Sequence, residues 1–188
     1  MARFTVVLDA CVLYPAPLRD ALMRLGATDL FKAHWTDKIH EEWMRNLSAK
    51  SEIKLETLEK VRELMDKHVP DAKVIGYEEL IEGLKLPDPN DRHVLAAAIK
   101  CGADAIVTLN LKDFPEDVLA AYQIELIHPD DFIFYQIDMA PVICTKVFRD
   151  QRAALKNPPM TVDEFLINLQ KQQLPQTVSA LRQFADLL

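Results

Sequence analysis

The 188 residues are 49% hydrophobic, enough to bury the core of one α/β domain plus a small appendage, which excludes a disordered tail. No run approaches the roughly 18 apolar residues of a membrane span, and MARFTVVLDA holds Arg3 as its sole basic residue with no cleavage-like site, so a cytoplasmic protein is expected. The formal charge of −7, from 29 acidic against 22 basic residues, would repel a polyphosphate chain, so a nucleic-acid ligand would need divalent cations on a carboxylate cluster or a gathered basic face.

Residues 4–8 are apolar and β-branched and predict a first strand that ends on Asp9. Pro17 suits the first turn of a helix running to Gly26. Residues 32–36 read as a second strand, followed by a helix capped by Thr36 or Asp37 that carries Ile39, Trp43, Met44 and Leu47 on one face, with Glu42 beside it. Residues 52–68 keep helical apolar spacing between charged intervals, and residues 73–75 read as a weak third strand. A helix from about Asn90 to Cys101 closes on Gly102. Residues 105–109 and 124–127 complete the strands, giving an α/β fold with a mainly parallel five-stranded sheet flanked by helices. Beyond His128 only helices are expected, with a break at residues 156–159, a capping box at ThrValAspGlu and a last helix opened by Pro175. The division falls at 1–135 and 136–188, the second part being a helical C-terminal extension.

Three cysteines, Cys11, Cys101 and Cys144, lie far apart with no CxxC pair, so no disulfide framework or zinc site is expected; they read as reduced, packed side chains. His40, His68, His93 and His128 lack metal-ligand spacing and read as surface or packing residues. Trp35, Trp43 and the aromatic run at 132–135 read as core rather than base-stacking platforms. RLGATDLFKAHWTDK, with Arg24, Lys32, His34 and Lys38, is the candidate basic face. No nucleophile elbow, P-loop or dinucleotide fingerprint is present.

The chemistry gathers at strand ends. In an open parallel sheet, ligands bind outside the carboxyl ends of the strands. Asp9 ends the first strand, while Thr108 lies at the end of the strand at residues 105–109 and Asn110 and Asp113 follow it. Asp88 and Asp91 start the preceding helix, and Glu42 lies on the helix after the second strand. Carboxylates converging within about 4 to 6 Å raise one another's pKa, and a hard divalent cation resolves that conflict. Oxygen ligands without histidine or cysteine favour Mg²⁺ or Mn²⁺ over zinc. Phosphodiester cleavage is the reaction such a site suits, with Asn110 and Thr108 orienting carboxylates or waters. Taken singly, Asp9 and Asp113 read equally well as turn residues and Asp88 and Asp91 as helix caps.

LDACVLYP, IHEEWMRNL and NDRHVLAAAIKCGADAIVTLNLKDF together resemble the PIN-domain ribonucleases, particularly the VapC-type toxins of toxin–antitoxin pairs, over about residues 4 to 135. The resemblance implies a PIN-like three-layer fold and a Mg²⁺- or Mn²⁺-dependent endoribonuclease, usually dimeric and held inactive by an antitoxin. It implies metal ligands at Asp9, Glu42 in preference to Glu41, Asp91 and Asp113, with Asn110 and Thr108 at the neighbouring polar positions. Ala10 and Cys11 stand where the family often has threonine and asparagine, which predicts a missing polar contact to Asp9. The other readings are a catalytically silent PIN-fold scaffold binding RNA or protein, and a phosphoacceptor domain; the latter wants paired acids after the first strand, where Ala10 and Cys11 stand.

Overall fold

A computed structural model describes residues 3–188. Four parallel strands form the sheet in the order β2-β1-β3-β4, with β1 at Thr5–Leu8, β2 at Lys32–His34, β3 at Ala105–Val107 and β4 at Glu125–Ile127. Val6, Val7 and Leu8 and all of β3 are buried, as central strands covered on both faces require. Helices flank the sheet, so the α/β class read from the sequence holds.

The expected five strands are four. Residues 73–75 make a single bridge, Lys73 to Trp35, stitched by Trp35 N–H to the Ala72 carbonyl and Val74 N–H to the Trp35 carbonyl. Left-handed turns at Asp71 and Gly76 close in on either side and leave no room for a ladder.

The helices of the first part are α1 (Ala10–Leu13), α2 (Ala16–Gly26), α3 (Asp37–Lys50), α4 (Leu55–His68), α5 (Glu78–Ile81), α6 (Arg92–Cys101) and α7 (Glu116–Ala120). Thr36 caps α3 by accepting from Ile39 N–H at 3.1 Å. Gly102 ends α6 in the left-handed conformation that favours glycine. The single-turn α1 was not predicted, because four residues are too few to display a helical period.

The second part is α8 (Pro129–Met139), α9 (Pro141–Ala154), α10 (Val162–Lys171) and α11 (Pro175–Arg182), with the capping box formed between Thr161 and Glu164. Residue 135 lies inside α8, a helix that contacts both parts: Phe132 packs edge-on against Phe31 with ring centroids 4.7 Å apart, and Asp130 caps α11 by accepting from Gln176 N–H at 2.9 Å and Thr177 N–H at 2.8 Å. Gln151 on α9 donates to the Pro17 carbonyl on α2. The apolar core runs without a break from β1 and α6 through α8 to Phe165 and Leu166 of α10.

Candidate active site

The register Leu8↔Val107 sets the residues after β1 and β3 side by side. Asp9 continues the ladder through its own N–H to the Val107 carbonyl, and its side chain then meets Thr108, whose hydroxyl donates to Oδ2 at 2.7 Å. Ala10 N–H donates to Oδ1 at 2.7 Å, and the Cys11 thiol donates to Oδ2 at 3.2 Å. Cys11 therefore supplies a polar contact that its residue type had argued was missing. It is also not the merely packed side chain expected: its sulfur accepts from Leu109 N–H at 3.2 Å, and burial beside Asp9 raises the thiol far above its ordinary range, so it stays protonated. Asp9 is 4% exposed. Burial pushes its carboxyl up, opposed by the bonds from Thr108 and Cys11, while Glu42 adds a further upward push.

Glu42 arrives on α3, which is anchored by a buried polar knot. Trp43 Nε1–H donates to His40 Nδ1 at 3.0 Å, so Nδ1 bears no proton and Nε2–H faces Asp66 Oδ1 at 3.2 Å. Trp35 Nε1–H shares that same oxygen at 2.8 Å. The Arg19 guanidinium lies 4.6 Å from the Trp43 ring centroid and donates to the Leu13 carbonyl at 2.6 Å. Both tryptophans are fully buried, in line with their reading as core. Glu42 is then held by His93, with Nε2 3.3 Å from Oε2. Neighbouring Glu41 is exposed and its charge acts on Tyr77 instead.

Asp91 precedes α6 and is half-buried. Burial, then the charges of Asp9, Asp88, Asp113 and Glu42 in that order, push its carboxyl up to about 7. The acids singled out in the sequence thus face one another electrostatically across the strand ends. Asp88 accepts from Asn90 N–H at 2.8 Å as a cap while adding its charge to the group. Asp113 closes the 3-10 turn Leu111–Asp113, and Asn110 gives its backbone N–H to the Thr108 hydroxyl at 3.0 Å. Among the described residues no three His, Cys, Asp or Glu side chains already enclose a metal-sized point.

A profile of the PIN domain matches residues 5–112, more than half of the chain and the whole of β1 through β3. The chain belongs to the PIN-domain family. A second profile, the VapC50 C-terminal domain, matches residues 129–183, which are α8 through α11. The protein named "Putative ribonuclease VapC50" from Mycobacterium tuberculosis (strain ATCC 25618 / H37Rv) is 40% identical over 111 residues, 59% of this chain and 64% of that relative, so the match spans less than two thirds of the relative's length. No solved structure matches.

Two contacts of the PIN domain were invisible in the sequence. His93, expected at the surface or in packing, is buried with its Nε2 on Glu42, and Cys11 reaches across 98 positions to Leu109. The only local signal was that both lie within two residues of a candidate acid. Of the candidate basic face, Arg24 pairs with Asp20 at 3.0 Å, and Lys32 opens β2 in register with Thr5, at the strand ends opposite Asp9. A cleft of about 670 Å³ between α2, α4 and α9, walled by Met23, Leu64 and Val147, holds none of the clustered acids.

Proposed function

We propose that the chain is a Mg²⁺- or Mn²⁺-dependent endoribonuclease that cuts RNA phosphodiester bonds, the toxin of a toxin–antitoxin pair. The observation that carries the reading is the Asp91 carboxyl, pushed up to about 7 by burial and then by the charges of Asp9, Asp88, Asp113 and Glu42. Carboxylates that repel one another at a strand edge cost stability unless a cation neutralises them. PIN-family membership and the name of the relative point the same way.

The donor set fits a hard, water-rich divalent ion. All candidate ligands are carboxylate oxygens, and Mg²⁺ characteristically shares its shell among protein carboxylates, water and substrate phosphate. Asp9, Glu42, Asp91 and Asp113 would hold it. When bound, such an ion polarises a phosphoryl oxygen and eases loss of a proton from water.

This chain's own side chains do the rest. Asp9 is fixed in one orientation by Thr108, Cys11 and Ala10. Glu42 is steered by His93, and Asp91 gives up its proton near neutral pH as the groove is neutralised. Asn110, exposed beside Thr108, is free to reach a substrate or water.

We place the division of the chain between residues 128 and 129, where α8 begins, so that residues 129–188 form the extension. RNA as substrate, a cognate antitoxin covering the acidic groove, a homodimer and a cytoplasmic location complete the reading. No helix among the described residues is long and apolar enough to cross a membrane.

The deciding experiment incubates the purified protein with structured RNAs with and without Mn²⁺, alongside Asp91→Asn. Cleavage that needs the ion and is lost in the variant is expected. Full activity of Asp91→Asn, or undiminished cleavage in excess EDTA, would overturn the reading.

A further inference from the structure

Oδ2 of Asp9 is shared by two side-chain donors from different strand ends, the Thr108 hydroxyl at 2.7 Å and the Cys11 thiol at 3.2 Å. A hydroxyl and a thiol each carry one hydrogen. Here each also accepts a backbone N–H, Asn110 to the hydroxyl at 3.0 Å and Leu109 to the sulfur at 3.2 Å. Sγ and Oγ1 are themselves 3.2 Å apart and either can donate to the other, but the incoming amides occupy the acceptor side of each group and favour both single hydrogens on Oδ2. Oδ1 receives only the Ala10 N–H. Oδ2 is therefore filled, whereas Oδ1 retains an open lone pair.

We propose that Cys11 is a positioning residue of the nuclease: its thiol, together with Thr108, saturates Oδ2 of Asp9, locks the carboxylate in one rotamer and leaves Oδ1 as the oxygen turned to the groove. The proposal rests on the nuclease reading above. An alanine at position 11 removes the donor, strands the Leu109 amide and lets the carboxylate rotate. A serine restores a donor, although its shorter bond to oxygen moves the hydrogen.

Infrared difference spectroscopy tests the contact without reference to activity, because the S–H stretch lies where proteins have no other bands. Native minus Cys11→Ser isolates the Cys11 thiol from Cys101 and Cys144. A band displaced to low wavenumber, moving back up in Asp9→Asn because a neutral amide accepts more weakly, is expected. In parallel, Cys11→Ala weakens Mn²⁺ binding by roughly 10- to 100-fold, measured by calorimetry, and lowers kcat for RNA by a similar factor with KM for RNA unchanged. Cys11→Ser recovers most of both.

An S–H band at the position of a free thiol overturns the proposal, as does a folded Cys11→Ala with native Mn²⁺ affinity and kcat. Should Cys11→Ala fail to fold, the infrared band and Cys11→Ser carry the decision. Failure of the native protein to cut RNA overturns the nuclease reading, and the band then decides alone whether Cys11 holds Asp9.

Discussion

His93 Nε2 lies 3.3 Å from Glu42 Oε2, joining a fully buried ring on α6 to a partly exposed carboxylate on α3. The other ring nitrogen, Nδ1, is buried without a partner. A buried N–H without an acceptor is the costlier orphan, so the proton belongs on Nε2, which donates to Glu42. His93→Ala is expected to lower cleavage by roughly 10- to 100-fold, the range found when the support of a metal-binding side chain is removed. His93→Gln keeps an N–H donor and should recover part of the loss. Steady-state RNA cleavage with circular dichroism as the folding control measures both.

Asp91 makes stability depend on pH. Its folded pKa, about 7, stands above the ordinary carboxylate value of 3.8, so between those limits the folded state binds more protons than the unfolded one. By linkage the stability is fully present below pH 4 and falls as pH rises through 7. Asp91→Asn removes the charge, so this variant should melt higher than the native protein at pH 8 and gain clearly less at pH 5. Equal shifts at both pH values would show that Asp91 titrates normally.

Divalent ions should reverse that cost. At about 100 times its Kd a ligand bound only by the folded state adds about 2.7 kcal/mol, which for a chain of this size corresponds to a rise in Tm of roughly 5–10 °C. Mn²⁺ is expected to produce such a rise in the native protein and not in Asp9→Asn. Differential scanning fluorimetry at graded Mn²⁺ tests it, and an unchanged curve in millimolar Mn²⁺ counts against a preformed site.

Asp130 ties α8, the helix that packs on the sheet domain through Phe132 and Phe31, to the first amides of α11. Asp130→Ala leaves those N–H groups without their acceptor in a buried place, at a cost of about 1–3 kcal/mol. Urea unfolding should show a lower midpoint in a single transition. Two separated transitions would mean that α9 to α11 fold apart from the PIN domain.

The frame of the molecule was legible where local signals are strong. The apolar run of β1 ended where expected and that of β3 two residues early, and with them came the neighbourhood of Asp9 and Thr108. Gly102 closed α6 and the Thr161 capping box opened α10, since each is a local device written in consecutive residues. The third strand was overread: residues 73–75 have strand composition, but the turns at Asp71 and Gly76 confine them to one bridge. The links from Cys11 to Leu109 and from His93 to Glu42 span 98 and 51 positions. No window along the chain contains both partners, so only tertiary packing reveals them.

All four strands run the same way, so Asp9, Thr108 and Asn110 collect at one rim of the sheet, and the strands start from the other. Gln123 sits on that opposite rim, exposed and in a left-handed turn just before β4. A reporter attached there would stand a full strand length from Asp9, within reach of the molecule's motions and out of the path of any long polymer threading the acidic edge.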